Sequence, residues 1–457
     1  MSQVEHGLRD DLHNRADAYV VPVDVDAVRA RVAGRRRRRR TALAGSGVAV
    51  AAGVTALALA LTSTGSAARP APVHPVSPHV SVASMLAGRW SELPRSPLTP
   101  RMDAAVAWTG SALLVWGGAS GQQGQTLDDD GAVYDVKTAR WHAMASSPLG
   151  ARDGVSSAWT GREWIVWGGY TALSPFMAAN DGAAYDPATN SWRQLPTAPL
   201  SARVYARAIW TGDRVVVFGG QPPVIHSEAD YDGDGAAYDP ATNTWATIPA
   251  PVAPQGHRVQ WGTTTAFNGS VLAWSQWFTS EPTPTGARTE GGADLFRLDA
   301  DSTRWTAVPA DGSTLKNPVA AVQAGSDVIV RGYPFYCPVC QGPGPTVAET
   351  LIYNPATNTW RGLAPDVRLG ILGSQALTWF GNGLLSLNGA GRYGSTGPGA
   401  TSIWNAATDK WAAGPSAPFA CPVDAAPPMI DDKIAYYCPH YGGTTTYPSD
   451  ALLFTAG

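Results

Sequence analysis

The sequence predicts an all-β protein built from repeated four-stranded units. The chain of 457 residues contains 49 Gly, 37 Pro and 18 Trp, a composition typical of many short strands joined by turns. The phrase GAAYDPATNSW at 182–192 returns as GAAYDPATNTW at 235–245, 53 residues further along. A series of tryptophans also recurs every 51 to 60 residues, so the repeat extends along most of the chain.

The repeated phrase predicts a β-hairpin. A short apolar stretch ends at Tyr185, and Asp186-Pro187 then opens a turn, since Asp bonds nearby backbone N–H groups and Pro fixes φ. Asn190 tolerates unusual backbone angles, and Trp192 begins the next strand. Related versions of the phrase lie at 132–141, 294–305, 351–360 and 402–411.

Two further phrases precede the hairpin in each of the first three units. Runs of apolar residues ending in Gly-Gly, at 112–118, 163–169 and 214–220, predict a strand buried on both faces. Stretches of small residues at 103–108, 155–159 and 206–210 suit the crowded innermost strand of a radial array. The sequence of each unit therefore predicts four strands.

A repeat of this length and order resembles the kelch motif of β-propellers, in which Gly-Gly, Tyr and Trp mark successive strands. The resemblance covers residues 86–457, although units four to six lack Gly-Gly. The unit-marking tryptophans are Trp90, Trp141, Trp192, Trp245, Trp305, Trp360 and Trp411.

The two ends of the repeat region predict how the ring closes. Trp90 has no strands before it, whereas the last unit has no Trp strand after 450–456. Together they make one blade, so the sequence predicts a seven-bladed kelch-type β-propeller, residues 85–457, closed by its N-terminal strand. We expect a galactose oxidase-like propeller of a membrane-anchored actinobacterial type.

The N-terminal region predicts a membrane anchor. Six arginines at 35–40 precede 21 uncharged, mainly apolar residues at 41–61, which as a helix would span about 31 Å. The positive-inside rule places 1–40 as a cytoplasmic tail, 41–62 as a single transmembrane helix and the propeller outside the cell. Residues 63–84 then form a Pro-rich spacer. A cleaved signal peptide is the alternative, with "STGSAA" at 63–68 offering small residues for cleavage.

The net charge of the chain limits the classes of partner that it can bind. A net charge of -3, with 15% charged residues, argues against nucleic acid. Leu8, Leu12, Val28 and Val32 lie at i,i+4 spacings in the tail and suggest short helices. A signalling role for the tail would resemble that of actinobacterial anti-sigma membrane proteins, but the tail is short for a sigma-binding domain.

The four cysteines predict disulfides, because all lie beyond the membrane segment, in a compartment where disulfides persist. Three connectivities are possible. We favour Cys421–Cys438, which flank a hairpin of the closing blade, and Cys337–Cys340, which lie in one loop. A redox-active C-x-x-C is the alternative, although its usual strand–helix context is absent.

Basic residues at one register give the candidate binding site. Arg101, Arg152 and Arg203 each precede the aromatic residue before Gly-Gly by 15 positions, Lys316 has the same offset, and Arg258 is displaced by two. The kelch resemblance puts these residues around one mouth of the central channel, where they could hold a carboxylate or an acidic peptide. Alternatively, the arginines brace neighbouring loops.

Acidic loops at 127–131, 180–182 and 228–235 would offset that charge. The recurrent Asp-Gly before the Tyr strand is interpreted as turn chemistry. Only DYDGDG at 230–235 has the spacing of a calcium loop, and it lacks the bidentate Glu.

Catalysis has little support in the sequence, and we predict no metal, no cofactor and no catalytic residue. Galactose oxidase-type copper enzymes share the kelch repeat, but His226 and His257 are an insufficient ligand set. We therefore expect an extracytoplasmic binding module for a protein, peptide or glycan. The alternative is a kelch-type hydrolase, cyclase or oxidase that uses carboxylates at the channel mouth.

Overall fold

Nearly all of the described secondary structure is β-strand. The computed structural model describes residues 80–457 except 122–123, 226–230, 255–256, 284–285, 300, 302, 310–312, 334–347, 367–375, 389–397, 420, 422–426, 428 and 439–449. The elements of the first half are α1 (Val82–Leu86), β1 (Arg89–Glu92), β2 (Arg101–Met102), β3 (Ala105–Trp108), β4 (Ala112–Trp116), β5 (Ala119–Ser120), β6 (Thr126–Leu127), β7 (Gly131–Asp135), β8 (Arg140–Ala143), β9 (Ser156–Trp159), β10 (Trp164–Trp167), β11 (Tyr170–Leu173), β12 (Phe176–Ala178), β13 (Gly182–Asp186), β14 (Ser191–Gln194), β15 (Arg207–Trp210), β16 (Val215–Phe218), β17 (Gly235–Asp239) and β18 (Thr244–Ile248).

The elements of the second half are β19 (Gln260–Phe267), β20 (Ser270–Thr283), β21 (Gly286–Leu298), β22 (Trp305–Val308), β23 (Asn317–Ala324), β24 (Asp327–Tyr333), β25 (Glu349–Asn354), β26 (Thr359–Gly362), β27 (Ala376–Trp379), β28 (Gly383–Asn388), β29 (Ala400–Asn405), β30 (Lys410–Ala413), β31 (Lys433–Tyr437) and β32 (Ala451–Thr455).

Most strands form antiparallel sheets whose order follows the chain. Six sheets of four strands are numbered here from the N-terminus: sheet 1 (β3–β4–β7–β8), sheet 2 (β9–β10–β13–β14), sheet 3 (β15 to β18), sheet 4 (β19 to β22), sheet 5 (β23 to β26) and sheet 6 (β27 to β30). Sheet 7 has the order β31–β32–β1. Two small sheets, β2–β5–β6 and β11–β12, lie in the loops of sheets 1 and 2.

Sheet 7 joins the two ends of the repeat region. The N-terminal strand β1 pairs with β32, so that Trp90 lies opposite Phe454, as the sequence predicts. One apolar cluster packs this sheet against sheet 6 through Phe380 and Phe454, and another packs it against sheet 1 through Leu113 and Leu453. Comparable clusters lie between the other successive sheets, so the described strands form a closed ring, as in a β-propeller.

The second strands are buried as predicted. Every residue of β10 and β16 is buried, because each strand is covered on both faces by neighbouring sheets. The following Gly-Gly permits a close approach of the chain: Gly118 has φ +96°, and a Cβ atom there would lie 2.7 Å from the carbonyl oxygen of Met102.

The predicted hairpin turn is also confirmed. Asn190 adopts φ +47°, and its side-chain oxygen accepts a hydrogen bond from the Tyr185 hydroxyl at 2.7 Å. The same oxygen accepts one from the backbone N–H of Ala145 in the preceding unit, at 2.8 Å. The turn residue therefore connects adjacent sheets as well as shaping its own hairpin.

Four of the seven recurrent tryptophans donate a hydrogen bond to the preceding unit. The indole N–H of Trp192 donates to the carbonyl oxygen of Ala145 at 2.9 Å, and that of Trp245 donates to Pro196 at 2.9 Å. Trp141 and Trp411 make the same bond to Pro94 and Ala364.

The disulfide between Cys421 and Cys438 is present, with 5.2 Å between the Cα atoms and both residues fully buried. It closes a loop of 17 residues, for which chain entropy gives about 3 kcal/mol of stabilisation. Cys337 and Cys340 lie outside the described residues, so their pairing stays a prediction.

The Pro-rich spacer ends earlier than predicted, because α1 begins at Val82, within 63–84. Ser81 and Ser84 form a reciprocal capping box, and Met85 is fully buried against sheets 6 and 7. The predicted tail, the membrane segment 41–62 and residues 63–79 of the spacer lie outside the described residues. Within the described part of the chain, no helix is long and apolar enough to cross a membrane.

Candidate functional site

One face of the ring carries the loops that the sequence analysis singled out. These loops connect the fourth strand of one sheet to the first strand of the next, or the second strand to the third. We call the surface formed in sheets 1 to 3 by loops 93–104, 117–130, 144–155, 168–181, 195–206 and 219–234 the upper face. The described residues of these loops include eight aspartates and four arginines, so this part of the face is acidic.

The three predicted arginines are buried on this face and bound to their own sheets. Arg101, Arg152 and Arg203 are 1%, 4% and 1% exposed. Each donates to the carbonyl oxygen of the first glycine after the second strand: Gly117 at 3.1 Å, Gly168 at 3.2 Å and Gly219 at 3.2 Å.

Each arginine also pairs with the Asp that precedes the third strand. The distances are 2.7 Å from Arg101 to Asp130, 2.7 Å from Arg152 to Asp181 and 2.8 Å from Arg203 to Asp234. The Asp of the recurrent Asp-Gly thus supplies the counter-ion for a buried arginine. From the sequence alone, this dipeptide is interpreted only as a turn former. The interpretation was incomplete because the Arg and Asp are about 30 residues apart and meet only in the fold.

The arginine backbone links the same sheets to their predecessors. Arg152 donates its N–H to Asp128 at 3.1 Å and accepts from Gly118 at 2.7 Å, both in sheet 1. Arg203 makes the equivalent bonds to Ala179 and Gly169 of sheet 2. The three arginines therefore brace neighbouring loops, as the second interpretation of the sequence held. Ligand binding by them stays a prediction.

Arg258 and Lys316, the other two predicted binding residues, have a different environment. The side chains of Arg258 and Lys316 are exposed, and neither makes an ion pair with a described residue. The backbone N–H of Lys316 donates to Tyr333 at 2.8 Å. The structure thus does not give the five predicted residues one common geometry.

The described part of the possible calcium loop also serves Arg203. Asp232 lies 3.4 Å from Arg203, next to the Asp234 pair. Burial raises the pKa of Asp232, and Arg203 partly opposes this effect. No cluster of potential metal ligands exists among the described residues.

A carboxylate without a counter-ion lies beside this arginine row. Asp153 is 7% exposed, and its Oδ1 atom has no hydrogen-bond partner in the described structure. Burial, and then the nearby charge of Asp103, raise its pKa to about 7. The adjacent Arg152 directs its charge to Asp181 instead.

Two tyrosines lie beside the Asp153-Gly154 segment. Tyr170 exchanges backbone hydrogen bonds with Asp153, and the N–H of Tyr205 donates to Gly154 at 2.8 Å. The two rings meet nearly at right angles, with centroids 6.0 Å apart. Tyr205 is 45% exposed although its φ is +55°, a left-handed conformation that is unusual for a bulky residue.

An exposed apolar patch continues from these rings. Of the eight large hydrophobic side chains exposed in the described residues, five belong to the upper face of sheets 2 and 3: Phe176, Met177, Tyr205, Val224 and Ile225. Tyr170 connects the loops that carry them, because its ring contacts Phe176 at 5.6 Å and its hydroxyl donates to Pro223 at 3.4 Å. We call these five residues and Tyr170 the apolar patch.

Sheet 4 contains a second polar constellation. His257 Nδ1 lies 3.0 Å from Asp294 Oδ2, and the imidazole stacks on Trp277 with 4.0 Å between ring centroids. Both polar side chains are largely buried. The imidazole is thus oriented by a carboxylate, as general bases often are.

Sequence reasoning did not select Asp153, Tyr170, Tyr205 or Asp294, although the register of the repeat contains the signal. Asp153 occupies the position of Met102 and Val204 in neighbouring units, and Tyr205 that of Asp103 and Gly154. Residues that differ at one repeat position are functional candidates, whereas the recurrent arginines Arg101, Arg152 and Arg203 brace neighbouring loops.

Comparisons with known proteins agree with this architecture. The KLHDC2/KLHL20/DRC7 Kelch-repeats domain family matches residues 102–330. The chain is 26% identical over 320 residues to the Kelch-like protein terF of Aspergillus terreus, covering 65% of this chain and 63% of that protein. It is 28% identical over 137 residues to an N-acetylneuraminate epimerase of Haemophilus influenzae, covering 30% and 35%.

A second such epimerase, from Escherichia coli, is 20% identical over 202 residues, covering 37% of this chain and 54% of that protein. The chain spans less than two thirds of the length of each of these relatives. Because the family match extends over half of the chain and covers sheets 1 to 4 and the start of sheet 5, the chain belongs to the KLHDC2/KLHL20/DRC7 Kelch-repeats domain family.

Proposed function

We propose that this protein is a binding module that captures a protein, peptide or glycan ligand on the upper face of sheets 2 and 3. The apolar patch is the observation that carries the proposal. Exposed apolar side chains that cluster, instead of being scattered, mark interaction sites. The left-handed backbone at Tyr205 supports the same conclusion, because strained residues concentrate at ligand sites.

The cellular setting is part of the proposal. We propose that residues 41–62 anchor the chain in the cell membrane and that the propeller lies outside the cell. The Arg run at 35–40 next to 21 uncharged residues supports this orientation. The Cys421–Cys438 disulfide also fits an oxidising compartment.

Removal of the apolar patch should weaken ligand capture. Peptide-display and glycan-array selection on the full-length protein would supply ligands, and affinities would then be measured for Phe176→Ser/Met177→Ser. Both side chains are about half exposed, so folding should be unaffected, whereas affinity should fall at least tenfold, or by about 1.4 kcal/mol.

Val252→Ser is the matched control, because Val252 is 91% exposed but lies outside the apolar patch. It should leave affinity unchanged. Selected ligands that bind the double variant as tightly as the wild type would place the site elsewhere.

His257 and Asp294 support a second candidate function, acid–base catalysis on a sugar. Epimerisation requires proton transfer, and an imidazole held by a carboxylate at 3.0 Å beside a flat aromatic ring can supply it. The similarity to N-acetylneuraminate epimerases favours N-acetylneuraminate as the first substrate to test.

We expect the wild-type protein to interconvert N-acetylneuraminate stereoisomers faster than buffer alone, as measured by NMR. His257→Gln should lower that rate by about 100-fold or more. His142→Gln, an exposed histidine in sheet 1, should have no effect. A wild-type rate equal to that of buffer would exclude this candidate.

A further inference from the structure

We infer that the protein forms a dimer in which the β20–β21 hairpins of two copies pair edge to edge through β21. The inference concerns sheet 4 and goes beyond the proposed function. It rests on the part of this hairpin that extends past the other strands of its sheet, on the position of a proline, and on the order of two charges along β21.

The hairpin is longer than the sheet that carries it. Strand β19 pairs with β20 only up to Gln276, and β22 pairs with β21 only from Leu295 onward. Seven further pairs join residues 277–283 of β20 to residues 286–292 of β21, and these pairs have no third described strand beside them. We call these two segments the arm. At a rise of about 3.4 Å per residue, the arm is about 24 Å long.

The base of the arm is fixed to sheet 4. His257, from the loop before β19, contacts both strands of the hairpin. Its imidazole stacks on Trp277 of β20 with 4.0 Å between the ring centroids, and its Nδ1 atom lies 3.0 Å from Asp294 of β21. Gly292 lies close to the same indole, since a Cβ atom there would be 2.6 Å from Cζ2 of Trp277. These contacts hold the two strands together where the arm leaves the sheet.

The arm gains stability from further strands, because an isolated two-stranded ribbon is only marginally stable in water. A strand edge presents backbone N–H and C=O groups that are a template for another strand. The outermost strands of sheets 1 to 6 limit this hazard, since each contains only four or five residues. Two arms paired through β21 would form a sheet of four strands, the same number as in those sheets.

A proline selects the edge that pairs. Pro282 lies in β20 and has no backbone N–H. Because proline within a sheet is confined to edge strands, β20 should remain at the outside of the paired arms. The facing segment of β21, GARTEGG at 286–292, contains no proline. Strand β21 is therefore the edge that accepts a further strand.

The charges along β21 match a second copy of the same strand. Arg288 and Glu290 flank Thr289, so a two-fold axis at Thr289 puts position 288 of each copy opposite position 290 of the other. Unlike charges at directly opposite positions stabilise an antiparallel pair, and like charges destabilise it. A slip of two residues in either direction would put position 288 opposite itself, or position 290 opposite itself. The sequence thus favours one register.

The same register extends the charge pattern across the paired arms. Within one arm, Glu281 pairs with Arg288 across the hairpin. Directly opposite positions share a face of the sheet, so position 288 would lie between an acidic position of its own arm and one of the second copy. Pairing through β21 therefore brings each cationic position a second acidic neighbour.

Charge reversal tests the pairing by sedimentation velocity of the full-length protein in a non-ionic detergent. We expect the wild type to be dimeric. Arg288→Glu and Glu290→Arg should each weaken the dimer about tenfold or more, because each puts like charges at two symmetric positions. An equimolar mixture of these two variants should restore a heterodimer, and Arg288→Glu/Glu290→Arg should restore the homodimer.

Arg162→Glu is the control for charge reversal, because Arg162 is exposed in sheet 2, outside the arm. It should leave the dimer unchanged. Destabilisation of the arm itself by a single reversal would not be repaired by mixing, so the mixture separates loss of pairing from loss of the arm.

A cysteine variant tests the register. The two-fold axis puts position 289 of both copies opposite each other, with Cα atoms about 4.5 or 5.5 Å apart, which is within the range of about 4.4 to 6.8 Å for a disulfide. Thr289→Cys should therefore give a cross-linked dimer on a non-reducing gel. Ser280→Cys is the matched control, because Ser280 pairs with Thr289 within the arm but belongs to the other edge. It should not form the cross-link.

The inference is overturned if the wild type is monomeric, if both single charge reversals associate like the wild type, if their mixture stays monomeric, or if Ser280→Cys cross-links as readily as Thr289→Cys. The proposed function is tested separately, because Phe176→Ser/Met177→Ser should leave the dimer unchanged while it weakens ligand capture. A monomeric wild type that still captures ligands at the apolar patch would reject the pairing of the arms and retain the proposed function.

Discussion

Disrupting the N-terminal strand should open the ring and cause the largest loss of stability. Replacing Arg89–Glu92 by Gly-Ser-Gly-Ser keeps the chain length but removes Trp90, which is 8% exposed and packs on Phe454 and Tyr436 at 5.1 and 5.7 Å. Losing a buried Trp alone costs about 3 to 5 kcal/mol. The lost packing across sheet 7 adds to this cost.

The damage should also extend to neighbouring sheets. Strand β32 would become a sheet edge, and an unpaired edge recruits other chains. We expect a melting temperature lower by about 10 °C or more and concentration-dependent aggregation. Calorimetry and light scattering of the full-length protein would measure both effects.

The same replacement at 72–75, in the Pro-rich spacer, is the control and should leave both unchanged. An unaltered melting temperature in the β1 variant would show that the pairing of Trp90 with Phe454 contributes little to ring closure.

Repetition explains why so much of the fold could be predicted from sequence. The first three units repeat the same local signals: small residues, a doubly buried strand, Gly-Gly, and a hairpin with a residue at positive φ before Trp, which is Asn in the second and third units. Asn190 and Trp192 act within a few residues of their turn, so their roles are visible in a short window. The unmatched Trp90 then predicted the pairing of the two ends.

The candidate site was harder to predict because its contacts are between loops. Arg203 and Asp234 are 31 residues apart and become a pair only when the loops that precede β15 and β17 of sheet 3 come together. A row of arginines therefore suggested an anion site, although each cation already has an acceptor. Conversely, nothing local marks Asp153 as buried, and its backbone pairs with Tyr170 of another loop only in the folded protein.

Replacing Asp153 by Asn should stabilise the protein, and increasingly so as pH rises. The folded state holds this carboxyl at a pKa of about 7 instead of its ordinary 3.8, so folding takes up a proton between these values. The loss of stability caused by ionising Asp153 in the folded state is absent below pH 3.8, grows as pH rises and is complete above pH 7. The free energy of unfolding of Asp153→Asn should exceed that of the wild type by at most about 4 kcal/mol at pH 8 and by less than about 2 kcal/mol at pH 5.

Urea unfolding of the wild type and Asp153→Asn at pH 5 and pH 8 would measure this difference. Asp129→Asn is the control, because its side chain is exposed and should show the same stability as the wild type at both pH values. An Asp153→Asn gain that does not grow with pH would mean that the buried carboxyl is not a source of instability.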